Sequence, residues 1–548
     1  MKGYEALAKA FAGENVSALF GLMGDGNMYW MAAMATQPGI RVVHARHESA
    51  AVAMADGWSR MNGDVGVCSV TCGPGLTQIG TSLTASARHE TPIVVFAGDT
   101  PLTARFHLQA FEQRAFVEST GSIYLHSTSV DNLVQDVQLA FFRARTERKP
   151  VVLGVPYDLQ EREFTWDLDY TPSIDLVPTA AVVAPDPNGI SDVVRRLERA
   201  ERPVILAGRG VVAAEARVEL EQLAERTRAV LVTSLRAKGL FDGNPRNLGV
   251  AGAFSADAAR ALLTEADLVV GFGARMGYFT TEAGYLFPDA DLVQIQVNPA
   301  GWIDGQRVAD IALTADAKLG AQAILDALPA SDSVRGFTLE EIAAARVPFP
   351  TPPPGSLGEL DTNAVMVAIN DEVPTDWQIV IGAGHFWNFA VDWLSGRHPE
   401  RYEYTYDFGV IGQGLPTAMG VAVADPNRPV ALIEGDGSLI MNIQELESLA
   451  RHRIPLLVLC INDGAYGAEV HKIRSKGLSA DEAIFGRPDL GAVARAFGAV
   501  GETITEIEHL RKAITAFKAN PAPTVLDIHV SPDVICRQYL RLYFGRAS

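Results

Sequence analysis

This sequence calls for an α/β protein made of three doubly wound parallel-sheet domains. Short apolar runs rich in Val, Ile and Leu alternate with stretches of helical periodicity along the whole chain. That is the pattern of parallel strands covered by helices on both faces. Two proline-dense segments, 167–187 and 347–355, interrupt the alternation and read as extended connectors. The 548 residues are enough for three or four domains of roughly 150 residues each. The boundaries that follow are 1–165, 185–335 and 356–548.

Each part supplies its own strands and helices. In the first, Arg41–His44, 65–71 and 93–97 read as buried strands, with helices over 48–60 and 76–87 between them. In the second the strands are Pro203–Ala207, Val230–Thr233, Leu268–Phe272 and 292–297. In the third they are Gln378–Ile381, 430–434, 456–461 and 524–530. Sheets of this kind bind ligands beyond the carboxyl ends of their strands, so the chemistry is expected at those ends.

Composition narrows the function classes. The chain is 48% hydrophobic and 20% charged, ordinary for a globular protein with large cores. A net charge of −19 argues against nucleic acid or an anionic membrane as partner. No apolar run nears the roughly 20 residues of a membrane span, and residues 1–11 lack the apolar stretch of a signal peptide. Cys68, Cys72, Cys460 and Cys536 are not spaced as a zinc site. Buried free thiols and a cytoplasmic location are expected.

An acidic protein that binds a phosphate needs a local device. Gly435-Asp436-Gly437-Ser438 follows the strand 430–434, a helical segment follows it, and Asn462-Asp463-Gly464-Ala465 closes the next strand. A right-handed βαβ crossover brings both strand ends to one edge of one sheet. Asp436 and Asp463 can therefore meet although 27 positions apart. Two carboxylates and a backbone carbonyl are hard oxygen ligands, suited to Mg²⁺ or Ca²⁺. Gly435 and Gly437 let the backbone approach a bulky anion, and the helix start at Ser438 offers N–H groups. A metal-bridged diphosphate is thus bound without Lys or Arg. Either motif alone reads equally well as a turn with a capping aspartate; the pair at this spacing favours the metal site.

Over essentially the whole chain these motifs resemble the thiamine-diphosphate enzymes, the family of pyruvate decarboxylase, benzoylformate decarboxylase and acetolactate synthase. The resemblance implies Asp436, Asp463 and the Ala465 carbonyl as Mg²⁺ ligands. Tyr466 and Gly467 would complete that loop. The family usually has Asn where Asp463 stands, and Asn462 is the alternative ligand. Phe408-Gly409-Val410-Ile411-Gly412-Gln413-Gly414 resembles the segment that bends the cofactor, with Ile411 under the rings and the Gly409 carbonyl facing the 4′-amino group. Arg46-His47-Glu48 resembles the segment whose acid meets the pyrimidine N1′. An apolar setting would raise the Glu48 pKa. Gly73-Pro74-Gly75 resembles the tight turn near the pyrimidine, and Gly384-His385 would line the diphosphate. In the family the glutamate and the metal site come from different subunits, which implies a homodimer at least and a homotetramer as the expected form. The three domains would be pyrimidine-binding, central and diphosphate-binding.

The residues that select the reaction follow neither family pattern intact. Asp25, in Gly24-Asp25-Gly26, lacks a metal partner at the right distance but matches a catalytic aspartate of pyruvate decarboxylase. Acetolactate synthases carry Phe-Gln where this chain has Phe111-Glu112. His107 stands near a His-His pair of pyruvate decarboxylases, and Gln109 and Gln113 complete the cluster. Glu469 matches a catalytic glutamate of pyruvate decarboxylase. Turn and loop residues in solvent are the alternative for all of these. Ala207-Gly208-Arg209-Gly210 and Gly271-Phe272-Gly273-Ala274-Arg275 resemble FAD-holding turns of acetolactate synthase, but Phe279 stands where an arginine is expected, so FAD is disfavoured. The basic, aromatic segment 537–548 is expected to dock on the surface rather than close as a lid.

Together these readings predict a thiamine-diphosphate- and Mg²⁺-dependent, non-oxidative 2-oxo acid decarboxylase with carboligase capacity, acting on a small carbonyl substrate. The alternatives are an acetolactate-synthase-like transferase with FAD, a C–C lyase acting on an acyl-CoA or cyclic dione, and a cofactor-binding regulatory subunit without catalysis.

Overall fold

The computed structural model describes residues 1–165, 170–179, 181–299, 301–303, 307–329, 335–346 and 359–545. The connector at 347–355 lies outside them, as do residues 167–169 and 180 of the other connector and Arg546 of the terminal segment.

Three six-stranded sheets carry the fold. The first contains β1 (Ala18–Gly21), β2 (Arg41–His44), β3 (Gly66–Val70), β4 (Ile93–Asp99), β5 (Ile123–His126) and β6 (Pro150–Pro156), in the order β2-β1-β3-β4-β6-β5. The second contains β7 (Pro203–Ala207), β8 (Val230–Thr233), β9 (Asn247–Val250), β10 (Leu268–Phe272), β11 (Asp291–Gln296) and, after a small hairpin of β12 (Trp302–Ile303) and β13 (Arg307–Val308), β14 (Ile311–Thr314). Its order is β14-β11-β10-β7-β8-β9. The third contains β15 (Gln378–Ile381), β16 (Tyr402–Tyr404), β17 (Val430–Gly435), β18 (Leu456–Asn462), β19 (Val500–Ile504) and β20 (Thr524–His529), in the order β16-β15-β17-β18-β20-β19. All neighbours in the first two sheets are parallel, as are β15, β17, β18, β20 and β19 in the third. The first and third sheets share one strand order; the second has the reversal between β7 and β10 typical of dinucleotide-binding sheets.

The central strands are buried on both faces, β3, β7, β10, β17 and β18 completely so. That explains why they read as continuous apolar runs rather than alternating ones. The predicted helix over 76–87 is in fact two, Pro74–Thr77 and Gly80–His89. The break falls at Gln78 and Ile79, and the first short helix starts from the Gly73 turn, at φ +61°.

The chain forms two compact units. One holds Met1–Thr179, Pro354–Ala390 and Glu403–Val534, and with them the first and third sheets; the other holds Ala180–Pro353, Val391–Tyr402 and Ile535–Ser548. In the first unit the helices Glu48–Asn62 and Gly414–Ala424 pack backbone to backbone. A Cβ on Gly57 would collide with the Thr417 carbonyl, and one on Gly420 with the Met54 carbonyl. One hydrophobic core then runs through both sheets, from Phe20 and Val95 to Leu432 and Val458. In the second unit the C-terminal helix Arg537–Phe544 is docked by ion pairs. Arg537 reaches Asp392 at 2.7 Å, and Arg541 reaches Asp257 at 3.1 Å and the Ala253 carbonyl at 2.7 Å.

Candidate active site

The parallel register of β17 and β18 sets Gly435 against Ile461, so Asp436 and Asp463 are each the first residue beyond adjacent strands. The βαβ geometry thus delivers both carboxylates to one edge. Asp436 is 2% exposed and accepts a hydrogen bond from the Gly464 N–H at 3.0 Å, which folds the second loop back over the first. Asp463 accepts from the Ala465 N–H at 3.1 Å. Burial and then the neighbouring Asp463 charge push the Asp436 pKa up to about 8. Burial pushes Asp463 up to about 6. Neither accepts a hydrogen bond from a cationic side chain among the described residues. A buried Asp436 and a half-buried Asp463 repel when both ionise; the Arg487 charge favours the Asp463 carboxylate, and a hard divalent cation would supply the rest. Among the described residues no three His, Cys, Asp or Glu side chains gather to hold a metal. A two-carboxylate site needs a backbone oxygen, for which the Ala465 carbonyl stands next in the loop. Asn462 is turned into the core, donating to Asp527 Oδ1 at 2.8 Å and accepting from the Gly464 N–H, so it does not compete as a ligand.

The surroundings are built for close approach. A Cβ on Gly467 would collide with Asp463 Oδ2, and one on Gly437 would stand 2.9 Å from the Tyr466 ring, itself packed on Phe485 with centroids 5.2 Å apart. His385, just past β15, is 7% exposed. Its ring lies 4.4 Å from that of His471, and burial, then His471, hold its pKa well below 6.5. The pair keeps a neutral polar surface beside Gly467. His471 was not foreseen, although its position four residues after Gly467 puts both on one helix face.

The bending segment enters through Phe408, at φ +66°, and Gly409, at φ +70°. Ile411 is half-buried. The Gly412 N–H donates to Ser438 Oγ at 2.7 Å, and Gln413 meets Ser49 Oγ and Ser82 Oγ at 3.3 and 3.2 Å. Buried Glu434, its carboxyl pushed up to about 8 by burial, fills the space that side chains on Gly382 and Gly414 would take.

Glu48 opens its helix, which His47 caps by accepting the Ser49 N–H. Glu48 is half-buried, and a Cβ on Gly75 would lie 3.6 Å from its Oε1. The acid and the Gly73-Pro74-Gly75 turn are therefore brought together. Gln109 covers this turn: a Cβ on Gly73 would stand 2.7 Å from its Cβ, and its Oε1 accepts from the Cys72 thiol at 3.0 Å. His107 meets the Tyr157 hydroxyl at 2.9 Å.

The other expected reaction residues lie at the surface of the single chain. Asp25, Glu112 and Glu469 are exposed, and no hydrogen bond or ion pair joins them; Glu469 pairs with Lys472 at 3.5 Å. Gln113 lies in a different setting. It is 4% exposed and donates to the Tyr124 hydroxyl at 3.2 Å, because it opens a helix that packs inward. Tyr124 in turn donates to Asp99 at 3.0 Å, and His126 meets the same carboxylate at 3.1 Å. Burial works against the Asp99 charge, but these hydrogen bonds outweigh it and hold its pKa below the usual carboxylate range. No sequence motif announces this network, since its members come from two strands and a helix. All four cysteines are buried and free.

In the central sheet the two glycine turns abut. A Cβ on Gly208 would collide with the Gly273 carbonyl, and one on Gly210 would stand 2.7 Å from the Gly273 Cα. Close packing of the turns after β7 and β10 requires these glycines. Phe279 is 62% exposed.

Comparison with known proteins gives the same picture. Three family models match in succession: the N-terminal TPP binding domain of thiamine pyrophosphate enzymes over residues 1–118, the central domain over 190–328 and the C-terminal TPP binding domain over 382–528. The acetolactate synthase large subunit of Parasynechococcus marenigrum (strain WH8102) is 31% identical, covering 97% of this chain and 88% of its own length. A probable acetolactate synthase large subunit of Methanocaldococcus jannaschii is 28% identical over 97% of this chain and 92% of its own. Acetolactate synthase 2, chloroplastic, of Nicotiana tabacum is 28% identical over 96% and 82%. With its three α/β sheets and this run of matches, the chain belongs to the thiamine pyrophosphate-dependent enzymes.

Proposed function

We propose that this enzyme binds thiamine diphosphate with Mg²⁺ and decarboxylates a 2-oxo acid without oxidation, passing the remaining acyl unit to a proton or to a second carbonyl compound. The observation that carries the reading is the pair of carboxylates, buried Asp436 and half-buried Asp463, at the ends of adjacent parallel strands. When bound, thiamine diphosphate supplies a carbon nucleophile that adds to a carbonyl and accepts the electron pair released with CO₂. Asp436, Asp463 and the Ala465 carbonyl hold the metal. Gly435, Gly437, Ser438, Gly384, His385, Tyr466 and Gly467 line the diphosphate. Gly409 and Ile411 orient the rings, and Glu48, beside Gly73-Pro74-Gly75, holds the proton at the pyrimidine N1′. Asp25, His107, Glu112 and Glu469 manage protons at the substrate, while Gln113 holds Tyr124 in place.

In this reading Glu48 and Asp436 of one site come from different copies, so the working form is a homodimer or homotetramer, divided at 1–165, 185–335 and 356–548 into pyrimidine-binding, central and diphosphate-binding domains. Four buried reduced thiols suit a cytoplasmic enzyme. The printed names of the relatives support a second outcome, carboligation between two 2-oxo acids as in acetolactate synthase. Thiamine diphosphate, Mg²⁺ and a panel of 2-oxo acids separate the two: CO₂ with free aldehyde selects the decarboxylase, and acyloin or acetohydroxy acid selects the ligase. Glu48→Gln should retain Mg²⁺ binding and lose turnover by at least ~100-fold, the scale of a general acid–base contribution. Unchanged CO₂ release would refute the assignment.

A further inference from the structure

Gly412, the residue that follows Ile411, is held at both its N–H and its carbonyl by one short helix and its C-terminal cap. Its N–H donates to Ser438 Oγ at 2.7 Å. The Gly412 carbonyl accepts from Asn442 Nδ2 at 2.6 Å. Ser438 lies within the helix Asp436–Met441, and Asn442 caps its C-terminus. Asn442 is 8% exposed, and Gln444 Nε2 donates to its Oδ1 at 3.3 Å, which fixes the carboxamide with its N–H groups towards Gly412. Gly412 itself has φ +87°, and a Cβ there would stand 3.1 Å from the Met441 Cβ. The segment 409–412 thus has a left-handed glycine at each end and only two residues, Val410 and Ile411, between them. Such a segment has little stiffness of its own, so its position is set by what holds Gly412.

We propose that Asn442 is a positioning residue that fixes Ile411 relative to the Asp436 edge, making the ring support and the metal-binding edge one rigid body. This rests on the reading that Ile411 lies under the cofactor rings and Asp436 holds the metal. The side chain touches neither group. It acts by holding the Gly412–Gln413 peptide, next to the Ile411–Gly412 peptide that Ser438 holds, and a misplacement of about 1 Å in such a support costs on the order of 100-fold in rate. Bond formation at the diphosphate end is not involved, so affinity and activation should separate.

The test uses the full-length protein with thiamine diphosphate and Mg²⁺. Asn442→Asp keeps the side chain's size but presents oxygen to the Gly412 carbonyl; Asn442→Ala is the second variant, used if the first does not fold. Cofactor affinity is measured by calorimetry, and activation by hydrogen–deuterium exchange at the thiazolium C2 of the bound cofactor. The expected result is exchange slowed by about tenfold or more, affinity within about threefold of the parent, and little further slowing when Asn442→Ala is added to Ile411→Ala. Three results overturn the proposal: exchange at the parental rate, affinity and exchange lost together with melting temperature, or full additivity with Ile411→Ala. Glu48→Gln is run alongside. If it exchanges at the parental rate, the functional reading itself fails, whatever Asn442 does.

Discussion

Glu445 shows how a single buried residue ties the Glu48 segment to the third sheet within one chain. It lies past Asn442 in the third sheet's connection, yet its carboxylate accepts the Arg46 N–H at 2.9 and 3.1 Å, two residues before Glu48. Burial pushes its pKa up to about 7. A folded-state pKa above the unfolded value of about 4.3 means that the native state binds more protons than the unfolded one between these values. The stabilisation is complete below about pH 4.3 and is lost as pH rises through about 7. Glu445→Gln should flatten the fall in melting temperature across that window. A variant melting profile parallel to the parent would show that Glu445 does not titrate there. Residues of this kind were not legible beforehand. Glu445, Asn442 and the Asp99–His126 pair act through partners distant in sequence, and no spacing rule reports such contacts. Asp436 and Asp463 were legible because a βαβ unit links their separation in sequence to their proximity in space.

At the level of elements, the strands were visible as apolar runs because their burial on both faces leaves nothing else for them to be. The helix over 76–87 was misread because a helical apolar period continues across the break at Gln78 and Ile79, where only backbone geometry changes. Edge strands β5 and β16, short and partly exposed, lacked the apolar signal of the central ones. The helix pair Glu48–Asn62 and Gly414–Ala424 depends on two glycines whose role a sequence cannot show, since each is required by a carbonyl of the opposite helix. Gly57→Ala or Gly420→Ala should force these helices apart and destabilise the protein by about 1–3 kcal/mol, the usual cost of overpacking. Denaturant unfolding measures it, and a loss below about 0.5 kcal/mol, the level of surface substitutions, would show that the helices give way easily. Because the first helix begins with Glu48 and the second follows Ile411, the same variants should slow turnover more than their stability loss explains.

At the scale of the whole molecule, a chain of net charge −19 has to bind an anionic cofactor, and Arg487, which lies against Gly464, is paired with Glu359. Charge balance then falls on the metal. Strand order and the sharing of one core by the first and third sheets were not legible, since alternation fixes the class of sheet but not the neighbours of each strand. The account as a whole is tested most directly by titrating Mg²⁺ into the protein with thiamine diphosphate present, for the parent, Asp436→Asn and Asp463→Asn. It predicts one divalent site per chain in the parent and a loss of Mg²⁺ affinity by about tenfold or more in each variant, the reciprocal loss appearing in thiamine diphosphate affinity. Parental Mg²⁺ and cofactor affinity in both variants would contradict it.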